Sequence, residues 1–251
     1  MITRIERAML AWPVLSLDTQ FWTSRGFALV DVNYSGSTGY GRRYRELLNG
    51  RWGIADVVDC FAAARSLAER GQVDPPRMCI RGGSAGGFAT LRALARQDTP
   101  FAAGADYYGL VNLEVIARET HKFESRYGDT LLAPLPDGVA VYRERSPIAH
   151  IEDFSRPLIV VQGLEDEIVP PDQAEMIVQA LQSKGVPVAY LPLENEQHGF
   201  RRAENISRML DAELSFYAQL FALVLPAAEE IEPVAIEGFP TGHEKGGQSP
   251  A

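Results

Sequence analysis

The chain has 251 residues, of which 46% are hydrophobic and 23% charged, a composition typical of a globular protein that buries one sizeable core. Its 24 Lys and Arg against 33 Asp and Glu give a net charge of −9, the wrong sign for attraction to nucleic-acid phosphates. No apolar run reaches the roughly 20 residues that a membrane span needs, so the sequence argues against nucleic-acid and membrane partners.

Residues 1–18 form an atypical N-terminal segment. Glu6 interrupts its short apolar stretch and no small-residue cleavage site follows, so we do not expect a signal peptide. Cys60 and Cys79 are the only cysteines and lack metal-ligand spacing. We therefore expect two reduced, buried thiols in a cytoplasmic protein, with no bound metal or cofactor.

Short, nearly continuous apolar runs are typical of parallel strands buried on both faces. Five such runs occur, at residues 27–34, 78–81, 102–108, 158–162 and 188–193. Between them, apolar residues recur at helical spacing, in stretches that begin near Ile54, Met176 and Ile206. This alternation predicts an α/β fold with a doubly wound, mainly parallel sheet, and an active site at the carboxyl ends of the strands.

Two segments fall outside this alternation. Residues 109–155 form a long excursion between strands, where an α/β enzyme would carry a substrate-pocket insertion. Residues 226–251 are acidic and rich in Pro and Gly, which predicts a disordered, dispensable tail. Residues 19–225 are left as the α/β domain, in which any catalytic residues would lie.

A glycine-rich turn carries the candidate nucleophile. Directly after the run at 78–81, the sequence Gly-Gly-Ser-Ala-Gly-Gly places Ser84 in a G-x-S-x-G motif, and a helical pattern follows. This strand-turn-helix setting is that of a nucleophile elbow, in which small residues let the backbone turn sharply and lift the hydroxyl above the sheet. A phosphate-binding loop is the alternative, but the Lys-Ser/Thr pair of such a loop is missing.

A serine hydroxyl needs a base and an acid that orients the base. His198 follows the last predicted strand, and Asp166 follows the strand before it. The chain order Ser84, Asp166, His198 is that of α/β-hydrolases. The alternatives are a structural histidine and a solvated acidic loop in which Asp166 stands with Glu165 and Glu167.

Several longer stretches now identify a family resemblance. From about residue 19 to 221 the chain resembles the catalytic domain of the prolyl oligopeptidase family of serine peptidases, especially its acylaminoacyl-peptidase and dipeptidyl-aminopeptidase branch. The matching stretches are GFALVDVNYSGSTGYGRRYRE, WGIADVVDC, VDPPRMCIRGGSAGG, THKFESRYGD, ERSPIAHIEDFSRPLIVVQGLEDEIVPPDQAE and EQHGF. The resemblance implies an α/β-hydrolase that cleaves short or blocked peptides through an acyl-enzyme, with Ser84 as nucleophile, His198 as general base and acid, and Asp166 as its orienter.

The resemblance also implies a substrate pocket. The family typically walls its first specificity pocket with two aromatic residues four positions apart on the excursion. Phe123 and Tyr127 have this spacing, and Val169 would line the same pocket. A core pair at helical i, i+4 spacing is the alternative for the two aromatics.

The N-terminus departs from the family pattern. Family members normally carry a β-propeller or another domain first, and then a strand ending in an HGGP-like or tyrosine-bearing turn, and neither is present in this sequence. That strand would lie centrally in the sheet, and its turn supplies one oxyanion donor, leaving the backbone N–H of Ala85 as the only donor we can name. We expect a poorly soluble, inactive chain unless the fold is completed in another way. The flanking strands could close up, residues from the first dozen could fill the gap, or a homo-oligomer or complementing N-terminal domain could supply the missing part.

Three functions stay open. The first is a serine peptidase that hydrolyses short or N-terminally blocked peptides, which would then be its main partners. The second is a carboxylesterase that uses the same three residues. The third is a catalytically impaired fragment of such a peptidase.

Overall fold

In the computed structural model, which describes residues 1–5, 14–119, 126–225 and 231–239, six parallel strands form one sheet. In chain order the strands are β1 (Ile2–Ile5), β2 (Leu29–Asp31), β3 (Cys79–Gly83), β4 (Ala103–Tyr107), β5 (Leu158–Gly163) and β6 (Val188–Leu193). Across the sheet their order is β2-β1-β3-β4-β5-β6. The predicted parallel α/β sheet is confirmed.

Helices cover both faces of this sheet. In chain order they are α1 (Leu17–Thr23), α2 (Gly41–Arg45), α3 (Ala55–Glu69), α4 (Ala85–Leu94), α5 (Leu113–Glu119), α6 (Tyr127–Leu131), α7 (Val139–Arg145), α8 (Pro171–Lys184) and α9 (Ala203–Phe221). One apolar cluster packs α3, α4 and α8 against the sheet, and a second packs α1 and α9 against its other face. Within the described ranges, no helix combines the length and apolar character that crossing a bilayer requires.

The central strand expected to be missing is present. Residues of the N-terminal segment form β1, in which Ile2 is aligned with Leu29 of β2 on one side and with Cys79 of β3 on the other. Ile2 is fully buried between its neighbours. The prediction that the first strands are absent is therefore wrong at this position. Residues from the first dozen fill the gap, which was one of the expected alternatives.

Part of the tail also differs from its prediction. Residues 231–239 run along the edge of the sheet, where the backbones of Val188 and Glu237 exchange two hydrogen bonds of 2.9 and 3.0 Å. The N–H of Val234 donates to the hydroxyl of Ser215 on α9 at 2.9 Å. Ile231, Val234 and Ile236 pack against the second apolar cluster. These contacts supply the burial that was expected to be lacking, so this part of the tail is ordered on the core.

The excursion at residues 109–155 forms α5, α6, α7 and a 3₁₀ turn at Pro147–Asp153. Its start is tied to α8, because the side-chain oxygen of Gln173 accepts from the backbone N–H groups of Val111 and Asn112 at 3.3 and 2.8 Å. This anchor holds the base of the excursion beside the carboxyl ends of the strands.

We expect Ile2→Asp to disrupt the sheet more than any surface change, because it buries an unpaired charge in the central strand. Amide hydrogen exchange of β2 and β3 is the measurement. In the unchanged protein both strands should be strongly protected, and in the variant this protection should be lost. Equal protection in the two proteins would show that β1 is not part of the folded sheet.

We expect the double variant Val234→Ser, Ile236→Ser to lower the thermal midpoint by about 4–8 °C, since each half-buried aliphatic side chain stabilises by about 1 kcal/mol and each kcal/mol shifts the midpoint by about 2–4 °C. Val224→Ser is the matched control, because that side chain is 96% exposed. A double variant as stable as the control would mean that residues 231–239 do not dock in solution.

Candidate active site

Ser84 lies in a strained turn between β3 and α4. Its backbone has φ 55° and ψ −117°, a conformation that costs a non-glycine residue energy and is held only by its surroundings. Its N–H donates to the carbonyl oxygen of Tyr107 at 2.9 Å, which fixes the turn to β4. The strand-turn-helix setting predicted for Ser84 is therefore present.

Neighbouring glycines allow this turn because other chain segments pass very close. A Cβ atom at Gly87 would lie 2.7 Å from the Cα of Gly109, and one at Gly83 would lie 2.8 Å from the hydroxyl of Tyr108. Both distances are shorter than real contacts of a Cβ atom. At Gly87 the neighbour is backbone, so a larger residue there would push the turn away from β4, whereas a larger residue at Gly83 would displace the Tyr108 side chain.

His198 is placed between Ser84 and Asp166. Its Nε2 lies 2.9 Å from the Oγ of Ser84, and its Nδ1 lies 2.8 Å from the Oδ2 of Asp166. These distances fit the tautomer in which Nδ1–H donates to the carboxylate and Nε2 accepts from the serine hydroxyl. The structure thus brings together the three residues that the sequence singled out.

Asp166 is the buried member of its acidic loop. Its Oδ1 accepts from the N–H groups of Ile168 and Val169, both at 2.9 Å, which leaves Oδ2 for His198. The flanking Glu165 and Glu167 are exposed. The alternative of a wholly solvated loop does not describe Asp166.

Glu196, to which sequence analysis gave no role, holds the loop that carries His198. Its buried carboxylate accepts from the N–H groups of Arg201 and Arg202 at 3.0 and 2.9 Å and from the side chain of Asn205 at 3.1 Å. Burial alone would raise the pKa of Glu196, but these donors outweigh it and lower the pKa. Its carbonyl oxygen accepts from the N–H of Glu165 at 2.9 Å, which joins the histidine loop to the aspartate loop.

Tyr108 supports the imidazole from the end of β4. Its ring meets that of His198 edge to face, with centroids 4.8 Å apart, and it contacts Phe200 in the same way at 5.1 Å. Its positive φ of 41° turns the chain at this point. The aromatic contacts restrict the orientation of the histidine ring.

The candidate oxyanion donor is at the start of α4. Ala85 is the first residue of this ten-residue helix, so its N–H lies at the positive end of the helix dipole, where a developing negative charge is stabilised. The segment that follows β1, residues 6–13, falls outside the described residues.

The three predicted pocket residues have different outcomes. Phe123 lies outside the described residues. Tyr127 begins α6, is 55% exposed, and packs edge to face on Trp52 at 5.9 Å. Trp52 in turn contacts Phe88 of α4 at 4.5 Å, so Tyr127 is linked to the helix that follows Ser84. Val169 is buried, and its N–H is one of the donors to Asp166.

A buried ionic network lies behind the nucleophile. Arg81 of β3 is within 3.2 Å of the Oδ1 of Asp18 on α1, and its Nε is 3.6 Å from the Oε1 of Glu213 on α9. The hydroxyl of Tyr107 also donates to Glu213. Burial raises the pKa of Glu213, with Arg81 opposing this effect. These four residues tie α1, β3, β4 and α9 together.

A cleft of about 1020 Å³ opens beside Ser84 and His198, between α1 and α9. Its size is at the upper end of the roughly 300–1,000 Å³ of small-molecule sites. Within the described part of the chain, His, Cys, Asp and Glu form no group of three that could hold a metal ion.

The chain is similar to known proteins over most of its length. The family model described as "Prolyl oligopeptidase family" matches residues 13–223. Dipeptidyl aminopeptidase BIII of Pseudoxanthomonas mexicana is 32% identical over 191 residues, covering 74% of this chain and 28% of that protein. The acylamino-acid-releasing enzyme of Arabidopsis thaliana is also 32% identical over 191 residues, covering 73% and 25%. The chain thus spans about a quarter of the length of these curated relatives.

Solved structures agree with this relationship. A puromycin-hydrolyzing peptidase of Mycobacterium tuberculosis superposes with a TM-score of 0.90 at 44% identity, covering 94% of this chain and 36% of that one. A puromycin hydrolase superposes with a TM-score of 0.87 at 42% identity, covering 93% and 36%.

Burial of Asp106 on β4, beside Gly87 and Gly109, predicts a pH-dependent stability. Burial raises the pKa of Asp106 from 3.8 to about 7, and the N–H of Gly109 opposes this only in part. Between these pH values the folded state binds more protons than the unfolded state, so the free energy of unfolding falls as pH rises, by an amount on the order of 4 kcal/mol.

We expect Asp106→Asn to remove this contribution. Thermal midpoints of both proteins are measured from pH 4 to pH 8. As pH rises, the midpoint of the variant should increase by several degrees relative to that of the unchanged protein, with most of this change below pH 7. A constant difference between the two proteins would mean that Asp106 does not titrate in this range. Asp56 is also buried, and burial raises its pKa to about 7. Because Asp56 is present in both proteins, its contribution cancels in the difference between their midpoints.

Proposed function

The chain belongs to the prolyl oligopeptidase family, and we propose that it is a serine peptidase that hydrolyses short or N-terminally blocked peptides through an acyl-enzyme. The observation that carries this proposal is the continuous contact from Ser84 through His198 to Asp166, at 2.9 and 2.8 Å. A nucleophile, a base and an orienting carboxylate in hydrogen-bond contact are the arrangement that acyl transfer requires.

The proposed reaction has two halves. His198 Nε2 takes the hydroxyl proton of Ser84 as Oγ attacks the carbonyl carbon of the scissile bond, and the oxyanion that forms lies at the N–H of Ala85. The imidazolium then gives its proton to the leaving nitrogen, the C–N bond breaks, and the acyl group stays on Ser84. Water, deprotonated by His198, then attacks the carbonyl carbon of this ester. The ester C–O bond breaks, the His198 imidazolium gives its proton to the Oγ of Ser84, and the acid is released.

Asp166 acts through His198. Because its Oδ1 is occupied by two backbone N–H groups, the carboxylate cannot rotate away, and Oδ2 stays on Nδ1–H. It keeps the imidazole in the productive tautomer and stabilises the imidazolium. Glu196 and Tyr108 hold the loop and the ring in this orientation.

Among short peptides and related amides, we propose that aminoacyl amides are the preferred substrates. Two solved structures at 42–44% identity are named for the hydrolysis of puromycin, itself an aminoacyl amide. The curated relatives are named for the release of dipeptides and acylamino acids. We propose that Val169 and the aromatic residues Phe123 and Tyr127 form the pocket for the residue whose carbonyl is attacked.

We also propose a cytoplasmic location. Cys60 and Cys79 are both free and buried, and burial raises the pKa of each thiol, so both stay protonated and unreactive. Reduced thiols are usual in that compartment. A homo-oligomer or a complementing N-terminal domain stays a prediction, although β1 already fills the position for which such a partner was invoked.

We expect a fluorophosphonate probe to label the folded protein at Ser84 and to leave Ser84→Ala unlabelled, because the Ser84 hydroxyl is paired with the base His198 at 2.9 Å. Ser183→Ala, at an exposed site on α8, is the control and should label at the normal rate. Equal labelling of Ser84→Ala would remove Ser84 from the mechanism, and an unlabelled, folded parent protein would identify a catalytically impaired fragment.

A substrate panel on the same proteins separates the peptidase from the esterase. Puromycin, aminoacyl anilides and N-blocked peptide amides should be hydrolysed by the parent protein and by Ser183→Ala. Turnover of simple carboxyl esters alone, with no amide cleaved, would favour the carboxylesterase instead.

We expect Asp166→Asn to lower turnover by about 10⁴-fold, because an amide at this position favours the wrong imidazole tautomer. Glu167→Gln makes the same chemical change one residue along, on an exposed side chain, and should keep near-normal turnover. Steady-state rates on one good substrate are sufficient. A larger loss in Glu167→Gln than in Asp166→Asn would contradict the assignment.

A further inference from the structure

The cleft between α1 and α9 lies on one particular side of Ser84. The residues that line it include Gly83, just before the serine, and Gly199 and Phe200, just after the histidine. Neither Ala85, the oxyanion donor, nor Val169, the proposed acyl-pocket residue, is among its described lining residues. The cleft is therefore set apart from the side on which the acyl group is proposed to bind.

Proton transfer decides which part of the substrate faces this side. In amide hydrolysis the leaving nitrogen must receive its proton from the imidazolium. His198 itself lines the cleft and is within 2.9 Å of the Oγ of Ser84. The nitrogen that accepts this proton must approach His198, so the group attached to that nitrogen extends into the cleft.

Apolar side chains form the walls of the cleft. Leu17 and Phe21 come from α1, Phe200 from the histidine loop, and Ile206, Met209 and Leu210 from α9. Leu17 is 82% exposed, and it stands at the cleft next to Ser16 and Asp18. Such walls favour an apolar or aromatic occupant.

The charge of Arg81, the buried arginine of the cleft, is compensated by neighbouring carboxylates. Arg81 lines the floor but is paired with Asp18 at 3.2 Å and faces the buried Glu213 at 3.6 Å. An occupant therefore does not need a charge to match Arg81, and a neutral one loses no polar contact there.

We propose that this cleft binds the leaving-group side of the substrate and selects amides whose leaving amine carries a large apolar or aromatic group. This inference rests on the proposed serine peptidase function and specifies its substrates. At about 1020 Å³ the cleft has room for a group larger than one amino-acid side chain.

The test keeps the acyl group constant and varies the amine. A blocked amino acid is linked to glycinamide, leucinamide or phenylalaninamide, whose amines have similar basicity, and kcat/KM is measured for each. We expect kcat/KM to rise by about 10-fold or more from glycinamide to phenylalaninamide. An equal kcat/KM across the three would overturn the proposal.

Ile206→Trp fills the cleft from α9 and supplies the structural arm of the test. It should lower kcat/KM for the phenylalaninamide substrate by about 10-fold while changing that for glycinamide less than 2-fold. Hydrolysis of an ester with the same acyl group, when limited by deacylation, should be unchanged because the leaving group has gone. Val58→Trp, on the opposite face of the sheet at α3, is the matched control.

Leu17→Trp provides a second variant at an exposed site should Ile206→Trp not fold. Loss of rate for all amines alike, or a change in acyl-group preference, would show that the cleft holds another part of the substrate. Fluorophosphonate labelling distinguishes the two levels of failure. Labelled Ser84 without amine selectivity overturns only the cleft assignment, whereas an unlabelled parent protein overturns the proposed function as well.

Discussion

The backbone of Ser84 is held at a positive φ by the contact between α4 and the end of β4. There, Gly87 and Gly109 approach so closely that neither has space for a side chain, and the N–H of Ser84 is bound to the carbonyl of Tyr107. A strained residue of this kind persists only when its surroundings determine it. The position of the hydroxyl therefore depends on how firmly β3 and β4 are held in the sheet.

That dependence gives β1 its importance. β3 has β4 on one side and β1 on the other, so a short strand from the N-terminal segment completes the pairing of the strand that presents Ser84. Asp166 and His198 follow β5 and β6, farther along the same sheet. The distances among the three residues are thus set by the register of parallel strands, and the loops only refine them through contacts such as that between Glu165 and Glu196.

The sequence was most informative where the signal was local. The turn around Ser84 is recognisable from its own residues, and five strands stand out as apolar runs. β1 has no such local signal, because Thr3 and Arg4 interrupt its apolar character and its strand conformation comes from pairing with residues 29–31 and 79–82. The same holds for residues 231–239, whose backbone hydrogen bonds are made to the distant Val188 and Ser215.

The supporting residues of the site were harder still to predict. Asp106 could have been found as a lone carboxylate within a buried strand, and Glu196 lies only two residues before His198. Their roles nevertheless depend on groups brought close by folding, which no spacing rule describes.

The ionic network and the proposed leaving-group cleft are built from the same structural elements, α1, β3 and α9. Arg81 comes from β3, three residues before Ser84, and its partners Asp18 and Glu213 stand on the helices whose apolar residues wall the cleft. Removing one partner from a buried ion pair leaves a charge uncompensated, so such a network tolerates little relative movement of its members. The width of the cleft is in this way fixed by the strand that carries the nucleophile. A change in the spacing of α1 and α9 would strain the position of Arg81, which lies three residues before Ser84 on β3. The proposed selection of the leaving group would in this way be coupled to the alignment of the nucleophile.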